Sequence, residues 1–166
     1  MNSKKRLKNF FLPDPSLKFI LRVIVIALSA YLIFTFIFIP LRVKGHSMAP
    51  TYKDGQLNFC WRLRYLFSEP GRHDVVVVRY AGKGVMLLKR VVALGGEEIE
   101  IKDGKLIVDG RWIKEPYIGY SYDWTLPPRR VEEGNIYLVG DNRRVPMACH
   151  DFGQTSMRRV MGAPLW

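Results

Sequence analysis

Residues 98–113 read Glu98-Ile99-Glu100-Ile101-Lys102-Asp103-Gly104-Lys105-Leu106-Ile107-Val108-Asp109-Gly110-Arg111-Trp112-Ile113. Two Asp-Gly steps separate short alternating segments. Asp-Gly is a strong hairpin signal, because this turn type needs positive φ. The pattern predicts strands over Glu98–Lys102, Lys105–Val108 and Arg111–Ile113. Working outward, Val85–Leu94 is a β-branched run ended by Gly95-Gly96, and Asp74–Arg79 holds four consecutive valines after the turn Pro70-Gly71-Arg72-His73. Such apolar runs between turn residues read as buried strands. Gln56–Cys60 and Asn135–Val139 complete the set, the latter after Glu132-Glu133-Gly134. Pro127-Pro128-Arg129-Arg130 reads as a loop. The expected fold is mainly β, an antiparallel sheet domain without repeats or low-complexity tracts.

Upstream lies a different kind of segment. Val23 to Pro40 carries no charge over eighteen residues. With Phe19-Ile20-Leu21, and Arg22 snorkelling, the run is long enough to cross about 30 Å of hydrocarbon as a helix. A cleavable leader has a shorter apolar region and a small-x-small site after it. Here Pro40-Leu41-Arg42-Val43-Lys44 follows, so a retained anchor is expected. The expected organisation is a basic tail over 1–18, an anchor over 19–40 and a β domain over 41–166. Lys4, Lys5, Arg6, Lys8 and Lys18 precede the span, and only Arg42 and Lys44 follow closely. The positive-inside rule then leaves the N-terminus cytoplasmic and the domain outside, in a cell or inner membrane.

The 166 residues suffice for one anchored domain. Net charge is +11, of which residues 1–44 hold +7 and residues 45–166 only +4. Membrane topology accounts for most of that excess, which argues against nucleic acid as a partner. Cys60 and Cys149 are no disulfide framework. Pairing is open to them in an oxidising compartment, but two partly buried thiols are the plainer expectation. Phe59-Cys60-Trp61-Arg62-Leu63-Arg64-Tyr65-Leu66-Phe67 interleaves aromatics with arginines. Aromatics favour the membrane interface and arginines favour anionic headgroups, so the segment could press the domain onto lipid. An ordinary strand and loop with one buried face is the alternative.

Chemistry points first to Gly45-His46-Ser47-Met48-Ala49-Pro50-Thr51, a Pro/Gly-bounded turn a few residues past the anchor. A serine needs a base to become a nucleophile. His46 is adjacent, and neighbouring side chains on an extended backbone diverge. His73 and His150 carry no mark that singles either out, and a triad through one of them stays open. Three histidines and two cysteines form no metal-ligand spacing, so no cofactor is expected. His73 is expected in a loop and His46 in solvent. Lys89 is the other candidate base. In a strand over Val85–Leu94, Leu87, Lys89 and Val91 share a face and Arg90 points to the other. Burial there would disfavour the charged amine. A lysine at the sheet edge, reaching out to water, is the competing picture.

Three segments then resemble a family. Ser47-Met48-Ala49-Pro50-Thr51 is similar to the serine box of type I signal peptidases of the S26 family. Leu88-Lys89-Arg90-Val91-Val92-Ala93-Leu94-Gly95-Gly96 is similar to their lysine box, and Gly140-Asp141-Asn142-Arg143 to their late box. Order and spacing fit from the anchor to Trp166. The resemblance implies a serine–lysine dyad that removes signal peptides from exported preproteins. It implies Ser47 as nucleophile, Lys89 as base, and the Ser47 backbone N–H in the oxyanion hole. Small residues at the −3 and −1 positions, typically Ala-x-Ala, would face a wall of Val43, Met48, Tyr52 and Leu87.

The chain also departs from the pattern. Some members carry a serine two residues before the nucleophile, where this chain has Gly45. Counted from Gly140, the serine that usually orients the lysine falls on Pro146. The Asp-Ser-Arg positions fall on Ala148, Cys149 and His150, while Gly153 and Gly162 still match. Thr155 or Ser156 is the nearest replacement hydroxyl in sequence. The alternatives are a relative dedicated to one substrate, such as a conjugative pilin, and an inactive anchored β domain that binds partners or lipid.

Overall fold

The computed structural model describes residues 16–79, 86–119, 123–144, 146–150 and 153–166. The basic tail that the positive-inside argument uses lies, apart from Lys18, outside the described residues, as does Val85.

Helix α1 spans Leu17–Leu32 and starts at Ser16, whose Oγ accepts from the Phe19 N–H at 3.2 Å. That contact satisfies one of the amides a helix start leaves open. A π-helical turn, Ile33–Ile37, extends it. Together Leu17–Ile37 form a helix long and apolar enough to cross a membrane, with mean hydropathy 2.5. Phe38, Ile39 and Pro40, expected at the end of the anchor, belong instead to strand β1, Phe38–Arg42.

From Ile37 onward the chain is a β unit. Its strands are β1, β2 (Leu57–Trp61), β3 (Val75–Arg79), β4 (Met86–Leu94), β5 (Glu98–Lys102) and β6 (Lys105–Val108). They continue with β7 (Arg111–Trp112), β8 (Leu126–Arg130), β9 (Asn135–Val139), β10 (Gly153–Ser156) and β11 (Val160–Pro164). A seven-stranded sheet runs β1-β2-β11-β3-β4-β9-β10, and a four-stranded one runs β7-β6-β5-β8. All the pairings are antiparallel. The Asp-Gly turns behave as expected, with φ of 49° and 72° at Asp103-Gly104 and again at Asp109-Gly110.

The expected loop at Pro127–Arg130 is corrected. These residues lie in β8, at the edge of the smaller sheet, and the register with β5 slips between Ile99 and Ile101. Proline cannot donate to a ladder, so an edge strand with an irregular register is where two of them are tolerated.

Side-chain alternation divides the interior. Val92, Ala93, Tyr137 and Val139 pack with Ile99, Ile101, Leu106, Trp124 and Leu126. Val76, Val78, Val91, Ile136 and Leu138 form a second cluster, with Leu87 against it. A third and smaller one, Val43, Met48 and Tyr52, takes Leu88 and Val75. Cys60 and Cys149 are both free thiols. Burial pushes the Cys60 thiol up to about 11, so it stays protonated.

Candidate active site

The β1–β2 hairpin builds the nucleophile turn. Its register closes at Arg42↔Leu57, leaving residues 43–56 as the connecting loop. Val43 donates to the Gln56 carbonyl and Gly55 donates back to Val43, both at 2.9 Å. Inside, Gly45 N–H donates to Asp54 Oδ1 at 2.7 Å. Gly45 has φ of 85°, a conformation that costs any other residue strain, which gives a physical reason for glycine rather than serine there. Met48 is 1% exposed beneath the turn, and Ser47 is half-buried above it.

The Gly140–Arg143 segment clamps this turn. Asn142 N–H donates to the Ser47 carbonyl at 3.0 Å, and Asn142 Nδ2 to the His46 carbonyl at 2.9 Å. Thr51 Oγ1 donates to Asp141 Oδ2. Asp141 also takes a two-pronged pair from Arg90, with Nε–Oδ1 at 2.8 Å and Nη2–Oδ2 at 2.6 Å. Burial works against the Arg90 charge, but the Asp141 carboxylate outweighs it and raises the pKa further. Arg143 is held by Glu115 at 2.7 Å and by the Gly140 carbonyl at 3.0 Å. Buried charges persist only when paired in this way. Arg90, Thr51 and Glu115 were not singled out by sequence. Arg90 carried the one available signal, a charge in an apolar strand, which demands a partner.

Gly140 is in close approach. A Cβ there would sit 2.3 Å from the Ser47 carbonyl oxygen. Gly140→Ala therefore has to push the serine turn away, and a displacement of about 1 Å at a nucleophile can cost about a hundredfold in rate. The expected outcome is that loss in kcat from a folded protein, checked by peptide cleavage alongside thermal melting.

Lys89 is 3% exposed in β4, opposite Val76 of β3. It does not reach water along a sheet edge, since β4 lies between β3 and β9. Ser47 and Lys89 line two cavities with Leu87 as their common wall. The Ser47 cavity is about 450 Å³, with Val43, Met48, Val77, Leu87 and Leu88 around it. The Lys89 cavity is about 210 Å³ and includes Leu138, His150 and Thr155. Tyr52 packs with Val43 and Met48 in the cluster below and is not part of either lining.

Of the other candidates, His46 is exposed. His73 sits in a turn, with Nδ1 3.2 Å from the Tyr117 hydroxyl. Burial and the Arg72 charge lower its pKa. Ser156 Oγ accepts from the Arg158 N–H, so its hydroxyl caps a turn. Among the described residues no group of His, Cys, Asp and Glu is arranged to hold a metal.

An apolar helix, antiparallel sheets, a clamped serine turn and a lysine buried in a central strand define a class. The chain belongs to the signal peptidase, peptidase S26, family, whose model matches residues 16–164. It is a serine peptidase of that type. It is 31% identical over 151 residues to signal peptidase I of Bacillus licheniformis, covering 84% of this chain and 81% of that one. A probable signal peptidase I-1 of Synechocystis is 29% identical, over 82% of this chain and 74% of its own. The crystal structure of a signal peptidase I from Enterococcus faecalis V583 is 26% identical, covering 58% of this chain and 97% of that one, with a TM-score of 0.48.

Proposed function

We propose that the protein removes N-terminal signal peptides from exported preproteins, with Ser47 as nucleophile and Lys89 as its base. The observation that supports the reading is that Leu87 lines both the cavity of half-buried Ser47 and the cavity of buried Lys89. A neutral Lys89 Nζ takes the Ser47 Oγ proton as Oγ attacks the scissile carbonyl. It then gives that proton to the leaving amine and activates the water that frees the acyl group. The Ser47 N–H stabilises the oxyanion. Gly140, Asp141, Asn142 and Arg143 hold the turn and do not touch the reacting atoms. The apolar cavity at Val43, Met48 and Leu87 suits a small residue at −1 and rejects bulk, with Tyr52 supporting it from behind.

A preprotein with an Ala-x-Ala site tests this against a copy with Phe at −1. The first should be cut and the second resist; equal cutting of both would sink the pocket assignment. Cleavage should also rise with pH, since only the neutral amine is a base. A flat rate from about pH 6 to 9 argues against Lys89 in that role.

The catalytic domain works at the outer membrane face, with the N-terminus cytoplasmic. Leu57, Leu63, Leu66 and Phe67 are exposed, Phe67 at 96%, and Trp61 lies beside Arg62 and Arg64. Exposed apolar side chains interleaved in sequence with arginines suit an anionic bilayer. A domain lacking the anchor should bind anionic liposomes, and Trp61→Ala/Phe67→Ala should weaken binding about tenfold or more. Equal binding of the two would remove lipid as a partner of these side chains.

A further inference from the structure

We infer that His150 is the positioning residue for Lys89, accepting an N–H of its amine so that the lone pair faces Ser47. This rests on Lys89 being the base. A neutral lysine amine has one lone pair and two N–H groups on a stem of four rotatable bonds. In a buried site those N–H groups require acceptors, and the acceptor decides where the lone pair points.

The cavity around Lys89 narrows the choice. Its polar lining among the described residues is Arg79, His150, Gln154, Thr155 and Arg159. Arginine has no acceptor atom. Gln154 Oε1 accepts from the Glu132 N–H at 3.1 Å, which draws that amide toward the Glu132 turn with one of its two lone pairs engaged. Thr155 lies across from Ile136, which pairs with Leu94, five residues along β4 from Lys89. Along the ladder Thr155 is thus farther from the level of Lys89 than the start of β10 is. Gly153 is opposite Leu138, which pairs with Val91, so β10 approaches the level of Lys89 at its N-terminal end. His150 stands three residues before Gly153, on that side. Gly153 itself lines the cavity together with His150 and Lys89.

The imidazole is held for such a task. Its ring packs edge-on against Trp124, centroids 4.9 Å apart at 71°. Trp124 is itself almost wholly buried. The His150 N–H closes the short turn Met147–Cys149 through the Met147 carbonyl at 3.1 Å. A neutral imidazole offers one ring nitrogen as acceptor. Pro146, at the head of this turn, has no side-chain group to offer.

Three variants of the full-length, detergent-solubilised protein separate positioning from packing. His150→Phe keeps a ring against Trp124 and removes the acceptor. His150→Gln keeps an acceptor and loses the ring. His150→Ala loses both. With an Ala-x-Ala preprotein, kcat should fall about a hundredfold for Phe and Ala, and about tenfold or less for Gln, with KM unchanged within about threefold. Near wild-type activity in His150→Phe would mean packing alone and overturn the inference. Three equally impaired variants with lowered melting points overturn it too, as do three active ones. Wild-type protein that cuts no preprotein, unlike any of these, removes the peptidase reading itself.

Discussion

Ser47→Ala and Lys89→Ala should each lower preprotein cleavage by about 10⁴-fold or more, and the double variant should be little worse than either. The non-additivity is the informative part. A nucleophile and its base act as one unit, so removing the second member after the first costs little. Lys89→Arg should fail as badly as Lys89→Ala, because a guanidinium stays protonated and cannot serve as a base. None of the three should unfold the protein. Ser47 lies in a turn held by backbone contacts to Asn142 rather than by its own hydroxyl. Lys89 faces a cavity and not a close-packed wall. Steady-state rates with melting curves check both halves.

Asp141→Ala should be the most damaging change to stability. It strips Arg90 of its two-pronged partner and leaves a guanidinium buried, along with the Thr51 hydroxyl that Asp141 accepts. Breaking a buried pair by removing one member costs about 3–5 kcal/mol. Domains of this size are stable by only about 5–15 kcal/mol, so the melting point should drop by roughly 10 °C or more. Activity should fall beyond that, since Asp141 sits between the two residues that position Ser47, Gly140 and Asn142. Arg90→Met in the Asp141→Ala background should recover part of the stability, because it removes the orphaned charge. Denaturant melts of the single and double variants decide it. An Asp141→Ala protein as stable as wild type would show that the pair does not hold the turn.

The strands were legible where the chemistry is local. Asp-Gly turns fix their own backbone, so β5 and β6 were placed to the residue. Apolar runs located β3, β4 and β9 for the same reason. Pro127 and Pro128 misled because their effect depends on which edge of which sheet they occupy, and that is a tertiary fact. The end of the anchor was equally ambiguous, since Phe38 and Ile39 suit a lipid-facing helix and a strand alike. Turn chemistry and a charge on an apolar face made Ser47 and Lys89 candidates, but the pairing of the two came from the resemblance, with a histidine base and an edge lysine still open on the residues alone. The Arg90–Asp141–Thr51 contacts were not legible, because they join segments about fifty and ninety residues apart. His150, in sequence an unmarked candidate base and a departure from the late-box pattern, follows the turn Met147–Cys149 and lines the Lys89 cavity.

The most direct test is the mass of what the protein cuts. Full-length protein in detergent is incubated with a preprotein carrying one Ala-x-Ala site, beside Ser47→Ala and Lys89→Ala. A single cut immediately after the second alanine is expected with wild type, and no product with either variant. A cut elsewhere, or the same product formed at an undiminished rate by Lys89→Ala, would contradict this expectation.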